Sequence, residues 1–395
     1  MMGDVIAVLD AQYPPETAET WDAVGLVCGD PLRRVRRVMF AVDPHEDVVA
    51  EAVEWGADLL VTHHPLLLKA VHAVPSSTTK GRVLSALIRA DCGLFTAHTN
   101  ADVAQGGVSD ALAQALGLVA TRPLVPRSHG ELKIVTFVPP PQAQRVIDAM
   151  ADAGAGTIGD YTRCAWSISG EGQFLPGVGS HPVIGRPGVA EETPEVRVEL
   201  VVPRSCRDAV VEAMVEAHPY EEVAFDEYPL VARPGQTGLG RVGLLESSTT
   251  LDAFAERVAR SLPSTAGGVR VAGDGGRVVD RVAVCGGAGD SLLAAATAAG
   301  VDVFVTADLR HHPASEHLSD AAPALVDPGH FASEWPWLPL AADRLAEALA
   351  EVGTTVETRV STLVTDPWSA LVTAEITAEI ADITADRTPV REEQP

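Results

Sequence analysis

Four short apolar runs, each ending at a histidine or an aspartate, constrain this chain more than any other feature. Asp58-Leu59-Leu60-Val61-Thr62 leads into His63-His64-Pro65, and Phe95-Thr96-Ala97 leads into His98 and Asp102. Val303-Phe304-Val305-Thr306-Ala307-Asp308 precedes His311-His312, and Ala324-Leu325-Val326-Asp327 precedes His330 and Glu334. A continuous apolar run of this length bounded by turn residues reads as a strand buried on both faces. In open α/β sheets, chemistry gathers just beyond the carboxyl ends of such strands. Six of the chain's 12 histidines fall at these four places, a concentration that points to metal chemistry over scattered surface histidines.

The rhythm between the runs predicts the fold. Val35–Val42 reads as a strand ending at Asp43, Val48–Trp55 and Arg82–Ala90 as helices around the strand before His63, and Val108–Leu116 as a helix after the strand before His98. This β-α-β-α alternation predicts a layered α/β sheet. The middle of the chain changes pattern: strands over 133–138, 161–169, 196–202 and 223–229, with helices over 142–153 and 206–217. The order β-α-β-β-α-β is the ferredoxin-like plan, and it predicts an α+β module inserted into the first domain. Alternation resumes at Gly243, with strands over 281–285, 301–306, 324–327 and 354–360 and helices over 288–299 and 334–352. The domains therefore divide as 1–126 with 234–361, an insert over 127–233, and a tail over 362–395. In the tail, Val372, Ile376, Ile380 and Ile383 are near helical spacing, which fits a docked helix or a mobile, partner-bound segment equally.

A chain of 395 residues suits about two domains of ordinary size. Its 29 basic and 54 acidic residues give a net charge of −25, which argues against a nucleic-acid surface or an anionic membrane as partner. No run reaches the roughly 18 apolar residues of a membrane span. The N-terminus lacks a basic signal-peptide start. Five scattered cysteines form no C-x-x-C and read as buried thiols of a reducing compartment, so a cytoplasmic location is expected.

His63, His64, Asp102, His330 and Glu334 make a donor set for two divalent ions, the imidazoles giving one bond each and the carboxylates able to bridge. Mixed nitrogen and oxygen donors suit Zn, Mn, Fe or Co without selecting among them. Ser333 and Pro336 suggest a helix starting near 334, with His330 in the preceding loop. Alone, Glu334 reads as readily as a helix-capping carboxylate. Asp308, His311 and His312 are open between ligand, orienting partner and acid/base roles, with His312 equally a surface residue. His98 can serve its own loop or acid/base chemistry. A metal-bound imidazole needs an acceptor on its other nitrogen, a part that Asp308 or Asp43 can fill. Gly286-Gly287-Ala288-Gly289-Asp290 reads as a phosphate-cradling turn or a tight β-α turn. Arg33-Arg34-x-Arg36-Arg37 reads as a strand edge or an interface, and His218-Pro219-Tyr220-Glu221-Glu222 as a ligand loop or a packed turn.

Five separated motifs agree in order and spacing with one family. Trp21-Asp22-x-x-Gly25-Leu26-x-x-Gly29, Thr62-His63-His64-Pro65, His98-Thr99-Asn100-x-Asp102, Thr306-Ala307-Asp308-x-x-His311-His312 and Gly329-His330-x-x-x-Glu334 resemble the GTP cyclohydrolase I type 2 homologue family, the Nif-three-like dinuclear metal-centre proteins. The resemblance covers residues 3 to 360, with Ala23 and Ala307 departing from the common Asn and Gly. It implies two metal ions on His63, His64, Asp102, His330 and Glu334, with acid/base or orienting roles for His98, Asp308 and His312. It further implies a PII/CutA-like insert, a hexameric ring of identical subunits, and hydrolysis of a small molecule such as GTP with release of formate. A phosphoesterase, or a metal carrier or regulatory scaffold without turnover, is the alternative for the same residues.

Overall fold

Leu59–Thr62 and Gly93–Thr96 are strands buried at every position, so neither shows the alternation of a half-exposed strand. The computed structural model describes all residues except 128–129, 160, 232–234, 319–321 and 373–395. These two strands sit inside a five-stranded sheet, in the order Gly25–Cys28, Gly93–Thr96, Leu59–Thr62, Arg37–Ala41, Glu357–Val360. The last member comes from the far end of the chain and pairs in parallel with Arg37–Ala41, Glu357 opposite Arg37. The Arg37 guanidinium ties the two by bonding Glu357 at 3.1 Å and the Trp55 carbonyl at 2.9 Å.

Alternate residues of each strand serve opposite layers, as the period of two requires. Val38, Phe40, Leu59, Val61 and Phe95 pack on the helices Met2–Gln12 and Trp337–Glu351. Met39, Ala41, Leu60 and Leu94 pack on Glu46–Trp55 and Thr79–Arg89.

The second sheet has six strands, in the order Arg270–Ala272, Ala324–Asp327, Val303–Ala307, Val278–Ala288, Gly238–Thr250, Leu118–Pro126. Its central three are parallel and its flanks antiparallel. Val108–Ala115 and Leu251–Ser261 cover one face, and Leu293–Ala298 the other.

The insert leaves from Leu118–Pro126 and returns into Gly238–Thr250, two strands paired with Gly238 opposite Pro126. Its own antiparallel sheet runs Ala165–Phe174, Glu191–Pro203, Glu131–Val138, Phe225–Pro229, the 2-3-1-4 order of a ferredoxin-like fold. Helices Ala143–Asp152 and Arg207–Ala217 close a separate core around Ile134, Val198, Leu200, Met150 and Met214. The chain is thus a split, layered α/β fold with an inserted α+β unit.

Three expectations change. The strand expected at 161–169 lies at Ala165–Phe174, an edge strand that leaves Trp166 and Ile168 exposed and carries little apolar signal. The helix expected from 334 starts at His330 and breaks at Pro336. Gly329, at φ 88°, turns the chain so that the helix begins directly after strand Ala324–Asp327. The first residues past 361 form no helix, and Ile376, Ile380 and Ile383 lie outside the described residues.

Candidate metal centre

The two sheets meet where their strands end in histidine. His63 and His64 follow strand Leu59–Thr62, His98 follows Gly93–Thr96, and His330 follows Ala324–Asp327. Each of these imidazoles has its Nδ1 held by a group that only accepts. His63 donates to the Ala97 carbonyl at 2.9 Å and His64 to Asp43 at 2.7 Å. His98 donates to Asp22 at 2.8 Å and His330 to Asp308 at 2.7 Å. Nδ1 of each ring therefore carries a proton, and Nε2 is the atom turned away from that anchor.

Three of those Nε2 atoms, from His63, His64 and His330, converge on one buried carboxylate. Oε1 of Glu334 lies 2.9 Å from His330 and 3.4 Å from His63, while Oε2 lies 3.1 Å from His64. Nε2 of His64 and of His330 are 3.3 Å apart, and Asp102 stands 3.7 Å from Nε2 of His63. Donor atoms of His63, His64 and His98, and of His64, His330 and Glu334, lie within 4.8 Å of one another.

His330 and Glu334 are four residues apart on a five-residue helix, so they share its inner face. Glu334 can approach because strand Val278–Ala288 offers glycine there. A Cβ on Gly287 would come 2.4 Å from Oε1 of Glu334 and 3.3 Å from Nε2 of His330. Gly287 adopts φ +65° and donates its N–H to Ser333 Oγ at 2.9 Å. The glycine-rich turn is thus a β-α turn that backs the carboxylate.

Burial opposes charge at each member, and the neighbours decide the outcome. Glu334 is held well below the usual glutamate range because the His64 and His63 charges and the His330 hydrogen bond outweigh burial. Burial disfavours the His64 imidazolium, but Glu334 and Asp43 raise its pKa to about 11. His330 rises to about 9 through Glu334 and Asp308. Asp102, with no such bond, is pushed up by burial to about 6. His98 is lowered by burial and by the adjacent His63.

Two atoms at the centre have no hydrogen bond although both are buried: Nε2 of His63 and Oε2 of Glu334. His64 lies near the latter without hydrogen-bonding geometry. Orphaned buried donors and acceptors are rare, and a cation between them would satisfy both. The His/Glu group therefore has the donor chemistry and spacing to hold a metal ion.

His311 and His312 are not part of this cluster. They open the exposed helix His311–His317 with their rings 5.2 Å apart. His218 bonds the Phe137 carbonyl at 3.0 Å and Tyr220 bonds Glu195 at 2.8 Å within the insert. Arg33 pairs with Asp91 at 2.7 Å, a surface contact. Asp22 orients His98 and also accepts from Thr99 at 2.5 Å, a role that the sequence alone does not assign. Its signal was the Trp21-Asp22 motif, but only tertiary structure brings residue 22 to 98.

Comparison with known proteins agrees with this architecture. The family model Duf34/NIF3 (NGG1p interacting factor 3) matches residues 1–367. A GTP cyclohydrolase 1 type 2 homolog of Mycobacterium leprae is 51% identical over 346 residues, covering 87% of this chain and 89% of the relative. One from Bacillus subtilis is 40% identical, covering 84% and 89%. Among solved structures, a Bacillus cereus protein related to NIF3 superposes with TM-score 0.74 at 39% identity, covering 94% of this chain and 99% of the other. Staphylococcus aureus protein SA1388 gives TM-score 0.77 at 27% identity, covering 94% and 98%.

Proposed function

This chain belongs to the Duf34/NIF3 family, and we propose that it is a hydrolase working through two divalent metal ions. His63, His64, Asp102, His330 and Glu334 would hold them, with Zn, Mn, Fe and Co all suited to the donors. The reaction is addition of water to the imidazole carbon of the guanine of GTP, opening the ring to a formamide, followed by attack of a second water that breaks the remaining C–N bond and releases formate. The observation that carries this reading is the convergence of three Nε2 atoms, those of His63, His64 and His330, on Glu334, each ring fixed by an acceptor at Nδ1. Relatives at 51% and 40% identity are named GTP cyclohydrolase 1 type 2 homologs, which supports the substrate.

Bound divalent ions would supply an acidified water and an electrophile for the bond under attack. The chain's own groups do the rest. Ala97, Asp43 and Asp308 lock the rings of His63, His64 and His330, so that their lone pairs stay aimed. His98, kept neutral by burial and His63, can take a proton at Nε2 while Asp22 holds Nδ1. Asp308 stands half exposed at the mouth and can pass protons to solvent. Phe331, Ala332 and Ser333, buried around Glu334, exclude water behind it.

The units we assign are 1–126 with 234–361 and the insert 127–233, in a homohexamer whose mass native mass spectrometry reads directly. The five cysteines are all unpaired, which supports a cytoplasmic setting. Among the described residues no helix is long and apolar enough to cross a membrane.

The test is formate release from GTP by metal-loaded protein, beside an Asp102→Ala/Glu334→Ala variant. Turnover in the parent alone is expected. Two metals per chain without turnover would move the reading to metal handling or another hydrolysis.

A further inference from the structure

The chain does not leave the molecule after its last strand. From Ser361 it turns back across the mouth of the imidazole cluster. Ser361 Oγ donates to Glu51 at 2.6 Å, and its carbonyl accepts from Trp335 Nε1 at 3.0 Å. Thr365 Oγ1 donates to Oδ2 of Asp43 at 2.5 Å, and Oδ1 of the same Asp43 holds His64 at 2.7 Å. Beyond this anchor, Asp366, Pro367, Trp368, Ala370 and Leu371 form one wall of a cavity of about 720 Å³. His64, Asp308 and His330 line the same cavity.

Trp368 is the odd member of that wall. Its side chain is 73% exposed, although it lines a cavity beside a buried polar cluster. The indole has no ring partner among the described residues, and an Asp366 carboxylate accepting from its backbone N–H at 3.3 Å fixes the turn that carries it. A free indole face over a cavity of nucleoside size suits stacking of a planar ring, which is tolerant of the ring's hydrogen-bonding pattern. Arg270 is the one Lys or Arg among the described residues lining this cavity, and Asp327 pairs with it. The cavity therefore recognises a ligand through its ring more than through its charge.

We propose that the strap from Ser361 to Leu371 is the substrate wall of the metal centre. Trp368 takes the face of a planar heteroaromatic ring, and Thr365 is a positioning residue that fixes His64 through Asp43. This rests on the hydrolase reading above and names the part of the substrate that the chain itself grips.

The test uses full-length, metal-free protein and guanosine in equilibrium dialysis, with ribose as the control. The parent retains guanosine and not ribose. Trp368→Phe stays within about threefold of the parent, and Trp368→Ala binds about tenfold more weakly with an unchanged circular dichroism spectrum. Parent-level binding by Trp368→Ala, or no saturable binding by the parent, overturns the ring contact. Thr365→Val keeps guanosine affinity but weakens metal binding by about tenfold, and Thr365→Ser restores it. Unchanged metal affinity in Thr365→Val overturns the positioning role.

Formate release separates this proposal from the reading beneath it. Turnover with an unaltered KM in metal-loaded Trp368→Ala overturns the strap and leaves the hydrolase standing. Guanosine binding that depends on Trp368, with no formate from any metal-loaded sample, keeps the strap and overturns the cyclohydrolase.

Discussion

Gly287 leaves Oε1 of Glu334 the space that any side chain would occupy, since a Cβ there would stand 2.4 Å away. Gly287→Ala is expected to displace the carboxylate and to strain a backbone at φ +65° by about 1–2 kcal/mol. Metal content per chain by elemental analysis should fall while the far-UV spectrum stays native. Full metal content in this variant would falsify the link between the glycine and the site.

Glu334 is the anion that three imidazoles share, and Asp102 closes the side nearest His63. Glu334→Ala and Asp102→Ala are each expected to lose at least one metal per chain without unfolding. Unaltered stoichiometry in both would remove the ligand assignment, however the enzyme assay came out.

Metal uptake should be coupled to proton release. Without metal, His64 and His330 are raised from 6.5 to about 11 and about 9, burial being outweighed by Glu334 and by their carboxylate partners. A raised folded-state pKa stabilises fully below the unfolded value and is lost as pH rises through the folded one. The metal-free protein should therefore lose stability as pH climbs through about 9, and Glu334→Gln should flatten that loss. At pH 7 both rings carry a proton that an incoming cation displaces, so metal affinity should rise with pH. Calorimetric titrations in buffers of differing ionisation enthalpy would show equal heats if no proton were released.

Arg241 is 1% exposed and spans two parts of the chain. It bonds Asp110 at 2.5 and 2.8 Å, and also the Ala104, Gly238 and Gly240 carbonyls. Arg241→Leu leaves the Asp110 carboxylate without its partner and should cost about 3–5 kcal/mol in denaturant unfolding. A change below about 1 kcal/mol would show that solvent readily takes over the bond.

Deleting residues 130–232 should leave a core that folds and binds metal. The strands on either side of the insert pair directly, Gly238 with Pro126, and the insert has its own apolar centre. An insoluble product, or one without metal, would count against an independent insert.

The strands that deliver the histidines were legible because each is buried on both faces and so is a pure apolar run. Ala324–Asp327 was delimited to the residue for this reason. Helix Leu251–Ser261 escaped, although Thr250 caps it and Leu251, Phe254 and Val258 repeat at helical spacing. Helix Met2–Gln12 escaped too, with Met2, Val5 and Leu9 as the same kind of signal. The pairing of Glu357–Val360 with Arg37–Ala41 was out of reach, because a parallel register across more than half the chain leaves no local mark. Within the site, residue types at strand ends identified the histidines and carboxylates. Which nitrogen faces inward depends on Asp22, Asp43, Asp308 and the Ala97 carbonyl, and only the folded backbone places those acceptors.

The closing of the first sheet by its last strand has a consequence during synthesis. His63, His64, His98 and Asp102 emerge early, whereas His330, Glu334 and strand Glu357–Val360 emerge last. A ribosome must finish almost the whole message before Arg37–Ala41 gains its second neighbour and the donor set becomes complete. Any chain cut short before residue 330 carries three of the four imidazoles at most and lacks the carboxylate between them. Capture of a metal ion through Glu334 would thus be a checkpoint on synthesis, passed only by chains whose early and late strands have met.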